Sequence, residues 1–185
     1  MLEAFLVSTG IVALAEMGDK TQLLALVLAA RFGRPAPIVL GILAATLANH
    51  ALAAWLGTWI TAAVGRDAMR WILGVSFLAM AAWSLLPDAI DKEKTRQMRL
   101  GVFATTLVSF FLVEMGDKTQ VATVALAARY ATIAPVVAGT TLGMMLANVP
   151  AVYLGEQILR RVPIVLVHRV AAGVFAALGA LALIG

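Results

Sequence analysis

The chain has 185 residues, 62% of them hydrophobic and 13% charged, with a formal charge of +4 and no cysteine; its mean hydropathy is +0.96. Soluble globular chains carry about 45–50% apolar and about 25% charged residues, so an ordinary soluble domain is excluded and an integral membrane protein is expected. Disulfides, thiolate metal sites and cysteine nucleophiles are ruled out. The basic residues, scattered between apolar segments, read as membrane-flanking anchors and not as a nucleic-acid surface.

A spanning helix needs about 20 mainly apolar residues. That criterion predicts six helices, near 2–30, 36–64, 69–86, 100–128, 134–158 and 163–184. The first is a retained helix and not a signal peptide: Glu3 is its only early charge, and its apolar run continues to Ala30. Pro37, Pro135 and Pro163 fall at or near predicted helix starts, where a missing N–H does least harm. Trp55, Trp59, Trp71 and Trp83 read as interfacial or packing aromatics.

The segment Glu16-Met17-Gly18-Asp19-Lys20-Thr21-Gln22 recurs letter for letter at Glu114-Met115-Gly116-Asp117-Lys118-Thr119-Gln120. At the same offset of 98, Ala29-Ala30-Arg31 matches Ala127-Ala128-Arg129, Pro37 matches Pro135, Gly41 matches Gly139 and Leu56-Gly57 matches Leu154-Gly155. Leu47-Ala48-Asn49 matches Leu146-Ala147-Asn148 with a slip of one. Residues 1–185 therefore form a single transmembrane domain of two three-helix repeats, 1–86 and 100–185, joined by a cytoplasmic loop at 87–99. Three crossings are an odd number, so the second repeat starts on the opposite side of the membrane and has inverted topology. Nine basic residues (Arg31, Arg34, Lys92, Lys94, Arg96, Arg99, Arg160, Arg161 and Arg169) fall on one predicted side and three (Arg66, Arg70 and Arg129) on the other. By the positive-inside rule the nine face the cytoplasm and both termini lie outside.

Each repeated motif sets two acids and a lysine within an apolar segment, at roughly 3 kcal/mol per charge on the lenient insertion scale. On one continuous helix, Glu16, Asp19 and Lys20 share a face, as do Glu114, Asp117 and Lys118. Gly18 and Gly116 permit close packing or a local break that frees carbonyl oxygens. Inversion brings both motifs to similar depth and predicts one midplane site with four carboxylates. Thr21, Gln22, Thr119 and Gln120 add neutral oxygens, and the duplicated Asn49 and Asn148 are candidate supplementary ligands. Hard oxygen donors suit Mg²⁺, Ca²⁺ or Mn²⁺. Zinc, copper and nickel are disfavoured, because His50 and His168 lie outside the motif and read as structural or interfacial.

Four acids and two lysines leave a charge of −2, which one divalent cation or two protons neutralise. Four ionised carboxylates are unfavourable in low dielectric, so the site is expected to exchange a metal ion for protons. The plain alternative is a structural ion pair within each copy, Glu16 with Lys20 one turn later. An exporter of an organic cation or amino acid could use the same acids. A lipid-phosphate hydrolase is disfavoured because the arginines lie at helix ends. A structural subunit is opposed by the burial of charge, and a channel by four strong ligands. No enzyme activity and no cofactor are expected; the partners are a divalent metal ion, protons and the lipid bilayer. The oligomeric state is left open, a homodimer included.

With both motifs in view, the chain resembles the small cation transporters defined by two E-x-G-D-(K/R)-(S/T) motifs, also known as uncharacterised protein family sixteen. That family includes bacterial manganese exporters and the Golgi manganese/calcium–proton exchangers. The resemblance covers the whole chain. It implies a secondary transporter that carries Mn²⁺ or Ca²⁺ out of the cytoplasm in exchange for protons. It further implies Glu16, Asp19, Glu114 and Asp117 as metal ligands and a bacterial cytoplasmic (inner) membrane as location; beside those acids, Lys20 and Lys118 are expected to tune the carboxylates and pair with them in the empty state.

Overall fold

In the computed structural model, which describes residues 1–86, 101–155 and 163–184, every regular element is helical. The expected loop at 87–99 lies outside the described residues, as do positions 156–158 at the end of the fifth expected helix. Eight helices are described: α1 (Leu2–Glu16), α2 (Lys20–Phe32), α3 (Pro35–Ala63), α4 (Arg66–Trp83), α5 (Val102–Glu114), α6 (Lys118–Tyr130), α7 (Ala134–Leu154) and α8 (Ile164–Ile184). Of these, α3, α7 and α8 are long and apolar enough to cross a membrane by length and composition.

The repeat is visible in the element order: a helix, a short break, a second helix, then two longer ones, twice over. Prolines start the third element of each series, Pro35 and Pro37 in α3 and Pro135 in α7, where φ is already helical and no N–H is lost. Gly33, at φ 58°, closes α2 by donating its N–H to Ala29 O at 2.9 Å, the left-handed stop that glycine takes without steric cost.

The expectation of unbroken helices over 2–30 and 100–128 is corrected. Both stop at the repeated motif. The reason is local: Met17 (φ −65°, ψ 116°) and Gly18 (φ 82°) have the dihedrals of a type II turn, closed by Asp19 N–H to Glu16 O at 3.0 Å. The second copy repeats this with Met115 (φ −59°, ψ 121°), Gly116 (φ 76°) and Asp117 N–H to Glu114 O at 3.0 Å. A type II turn needs positive φ at its third residue, and glycine supplies it.

The halves embrace each other. α3 packs on α5 and α6, α7 packs on α1 and α2, and α4 packs on α8. The close approaches are reciprocal. A Cβ on Gly41 would lie 2.9 Å from Phe103 O and 2.7 Å from Thr106 Cβ; one on Gly139 would lie 2.4 Å from Phe5 O and 3.0 Å from Ser8 Cβ. Phe103 and Thr106 stand 98 residues after Phe5 and Ser8, so the same patch of each half meets its counterpart, as in an isologous two-fold interface. Many large apolar side chains point outward, among them Trp55, Trp59, Trp71, Leu40 and Leu52. Inside lie Glu16, Asp19, Glu114, Asp117 and Lys118. That distribution, apolar without and charged within, suits lipid as the surrounding solvent.

Candidate metal-ion site

Because the chain breaks at Gly18 and Gly116, the C-terminal ends of α1 and α5 and the N-terminal ends of α2 and α6 converge on the acids. Glu16 and Glu114 are the last residues of α1 and α5; Asp19 and Asp117 are the N-caps of α2 and α6. An N-cap carboxylate gains from the partial positive charge of the helix start. Asp19 Oδ2 accepts the Thr21 N–H at a long 3.5 Å.

Ligand atoms of Glu16, Asp19 and Asp117 all lie within 4.8 Å of one another, and all three side chains are buried. Glu114 is outside that triad but within electrostatic reach of Glu16 and Asp117. The two motifs thus form one buried cluster drawn from both repeats.

The pairing within it is not the one a continuous helix would give. Lys20 Nζ lies 2.6 Å from Asp117 Oδ1, and Lys118 Nζ pairs with Asp19 Oδ1. Each lysine crosses to the aspartate of the other copy. The alternative of a local Glu16–Lys20 pair is therefore corrected: the turn at Met17–Gly18 takes Lys20 off the face of Glu16. The crossed pairs differ in access, since the Lys20 side chain is 21% exposed and that of Lys118 only 1%.

The other motif residues hold this arrangement in place. Thr21 and Thr119 donate their hydroxyls to Glu16 Oε2 and Glu114 Oε1. Gln22 Oε1 accepts the Gly18 N–H at 2.9 Å, and Gln120 Oε1 the Gly116 N–H at 2.8 Å. This brace resembles a capping box shifted by one residue. Gln22 Nε2 also donates to Ala147 O at 2.8 Å, tying the break in the first repeat to α7.

Asn49 lies beside the second motif, donating to Phe111 O at 3.1 Å and accepting from Gln120 Nε2 at 3.5 Å. Asn148 donates to Met144 O of its own helix at 3.1 Å, and its Oδ1 has no hydrogen-bond partner among the described residues. Glu16 Oε1 and Glu114 Oε2 also lack one there. Buried polar atoms are normally hydrogen-bonded, so oxygens without a donor call for a water, an ion or a functional role.

Two residues read from the sequence only as structural or interfacial, His50 and His168, lie beside the motifs. His168, from α8, donates Nε2–H to Met17 O at 3.1 Å and so covers the break at Gly18 together with Ile164. Among the described residues, nothing lies within 4 Å of where a Cβ on Gly116 would sit. His50 is buried with Nε2 3.8 Å from Glu114 Oε1. No periodicity ties either histidine to a motif. The one available signal was adjacency: His50 follows the duplicated Asn49.

An all-helical fold with an apolar exterior and a buried cluster of charge fits a membrane transporter. The chain belongs to the GDT1 family of divalent cation/proton antiporters, whose pattern matches residues 4–92 and 102–185. It is 49% identical over 176 residues, covering 95% of this chain and 88% of the relative, to a Vibrio cholerae protein described as a "putative manganese exporter". A GDT1-like protein of Synechocystis is 29% identical over 88% of this chain and 87% of its own length. No solved structure matches the chain.

Proposed function

We propose that this protein is a secondary transporter that exports Mn²⁺, with Ca²⁺ as a second substrate, in exchange for protons. The observation that carries this reading is the crossed cluster: carboxylates of both motifs, buried together, each aspartate held by the lysine of the opposite copy. In the unloaded site the two ammonium groups act as internal counter-ions. An entering M²⁺ binds the carboxylates, and the lysines withdraw or share them. Protons reaching the carboxylates from the other side release the ion, because a protonated carboxyl is a poor ligand. Four acids and two lysines balance one M²⁺ or two protons, so the exchange keeps the buried layer near neutrality.

In this reading each broken pair, α1–α2 and α5–α6, makes one discontinuous crossing, giving six crossings in two inverted halves. Residues 1–86 and 100–185 are those halves, with 87–99 as the cytoplasmic loop and both termini outside the inner membrane. Discontinuous helices that aim their ends at a midplane site are a recurring device of inverted-repeat transporters. The reciprocal contacts at Gly41 and Gly139 support an internal two-fold axis. Rocking of one half against the other then exposes the cluster alternately to each side. Glu16, Asp19, Glu114 and Asp117 are the proposed ligands. Thr21, Thr119, Gln22 and Gln120 position them, and Asn49 and Asn148 offer further oxygens.

In cells lacking other manganese efflux, the parent chain is expected to restore growth in excess Mn²⁺. Asp19→Asn and Glu114→Gln are expected to lose that protection at equal membrane abundance. Full protection by both variants sinks the assignment. Export of an organic cation predicts instead an organic-ligand binding signal and no response to Mn²⁺.

A further inference from the structure

His50 sits on α3 with its side chain 0% exposed, and neither ring nitrogen has a hydrogen-bond partner among the described residues. An unpartnered buried polar group costs about 1–3 kcal/mol. A purely structural histidine usually avoids that by bonding a carbonyl, as His168 does with Met17 O. The neighbour of His50 is Glu114, with Nε2 3.8 Å from Oε1. Oε1 is taken by the Thr119 hydroxyl, whereas Oε2 has no hydrogen-bond partner among the described residues. An imidazole without a hydrogen-bond partner and a carboxylate that still has one oxygen without one therefore stand side by side at the edge of the acid cluster. Donor atoms bound to one ion at roughly 2.0–2.6 Å lie about 3–5 Å apart; the 3.8 Å between Nε2 and Oε1 falls within that span, and Oε1 keeps a second lone pair beside the one that accepts from Thr119.

The nitrogen also breaks the internal duplication. With Asn49 matched to Asn148, the partner of His50 is Val149, so one end of the site carries imidazole and the other does not. We infer that His50 joins Glu114 as a ligand of the transported cation and makes the site prefer first-row transition cations over alkaline-earth ions. Alkaline-earth ions gain little from imidazole; Mn²⁺, oxygen-preferring and lowest of the divalent transition series, gains modestly, and one imidazole among carboxylates falls short of the nitrogen- and sulfur-rich sets that zinc, copper and nickel usually recruit. The inference rests on the reading of the cluster as a cation site and supplies what its oxygen ligands alone do not, a basis for choosing Mn²⁺ over Ca²⁺.

The test is pulsed electron paramagnetic resonance of Mn²⁺ on the purified full chain in detergent, with ¹⁵N-labelled histidine, alongside competition binding of Mn²⁺ and Ca²⁺. The expected result is a histidine-nitrogen coupling in the parent that persists in His168→Gln, where His50 is the only remaining imidazole, and vanishes in His50→Gln. His50→Gln is also expected to lose about tenfold or more in Mn²⁺ affinity, with Ca²⁺ affinity held within about threefold; retained Ca²⁺ binding shows that the variant is folded. Bound Mn²⁺ without histidine coupling in His168→Gln overturns the role of His50 and leaves the cation site standing. A parent chain that binds neither ion overturns both.

Discussion

The crossed ion pairs make a quantitative prediction about which lysine matters more. Lys118 is fully buried against Asp19, whereas Lys20 keeps 21% of its side chain exposed beside Asp117. Removing one partner of a buried pair leaves an uncompensated charge and costs about 3–5 kcal/mol. Where water reaches the ammonium, screening lowers that toward about 1–2 kcal/mol. Lys118→Met is therefore expected to destabilise by about 2 kcal/mol more than Lys20→Met. At roughly 2–4 °C per kcal/mol for a chain of this size, the gap in melting midpoint is about 4–8 °C, read by tryptophan fluorescence in detergent. Combining Lys118→Met with Asp19→Asn removes both charges and is expected to recover a large part of the loss, a coupling of about 2 kcal/mol. Pairing Lys118→Met with Asp117→Asn is expected to recover little. If Lys118→Met instead couples to Asp117→Asn, or melts with the parent, the crossed arrangement is wrong.

Four further outcomes follow from the geometry. Gly116→Ala is expected to cost about 1–2 kcal/mol from the left-handed backbone alone. Gly18→Ala is expected to cost more, because its Cβ would lie 2.5 Å from Ile164 Cγ2; Ile164→Ala should relieve part of the excess in the same thermal assay. Gly139→Leu, forced against Phe5 O, is expected to lower membrane abundance sharply, measured by quantitative blotting, whereas Leu40→Ala on the outward face should not. Mn²⁺ binding is expected to tighten with rising pH, since the ion binds deprotonated carboxylates. If two protons leave, affinity rises by up to about 100-fold per pH unit between protonated and ionised forms, read by titration calorimetry in buffers of different ionisation enthalpy.

The duplication, the helical class and the cluster of charge were all legible in the sequence, because an identical seven-residue segment in apolar surroundings needs no tertiary information. The breaks were half legible. Gly18 followed by Asp19 and, three residues on, Gln22 is a turn, an N-cap and a capping-box partner in series. Apolar periodicity on either side outweighed that signal and favoured one long helix. The crossed pairing was not legible at all: spacing within one copy puts Glu16 and Lys20 on a shared face, and only the meeting of the two halves sends Lys20 to Asp117. The same holds for His50, which reaches Glu114 because α3 packs on α5, a contact between residues 64 positions apart. Long-range packing, absent from any local pattern, decides which charges meet.

The proposed transport cycle couples movement of a divalent cation to protons through the crossed cluster. Sealed proteoliposomes with an acidic lumen, bathed in Mn²⁺ at neutral pH, test it most directly. Mn²⁺ uptake is expected to follow the imposed pH gradient, to alkalinise the lumen as it proceeds, and to reverse with the gradient. Glu16→Gln with Glu114→Gln is expected to abolish both signals together. Mn²⁺ flux that ignores the pH gradient, or that survives loss of both glutamates, rules out proton-coupled exchange at this cluster.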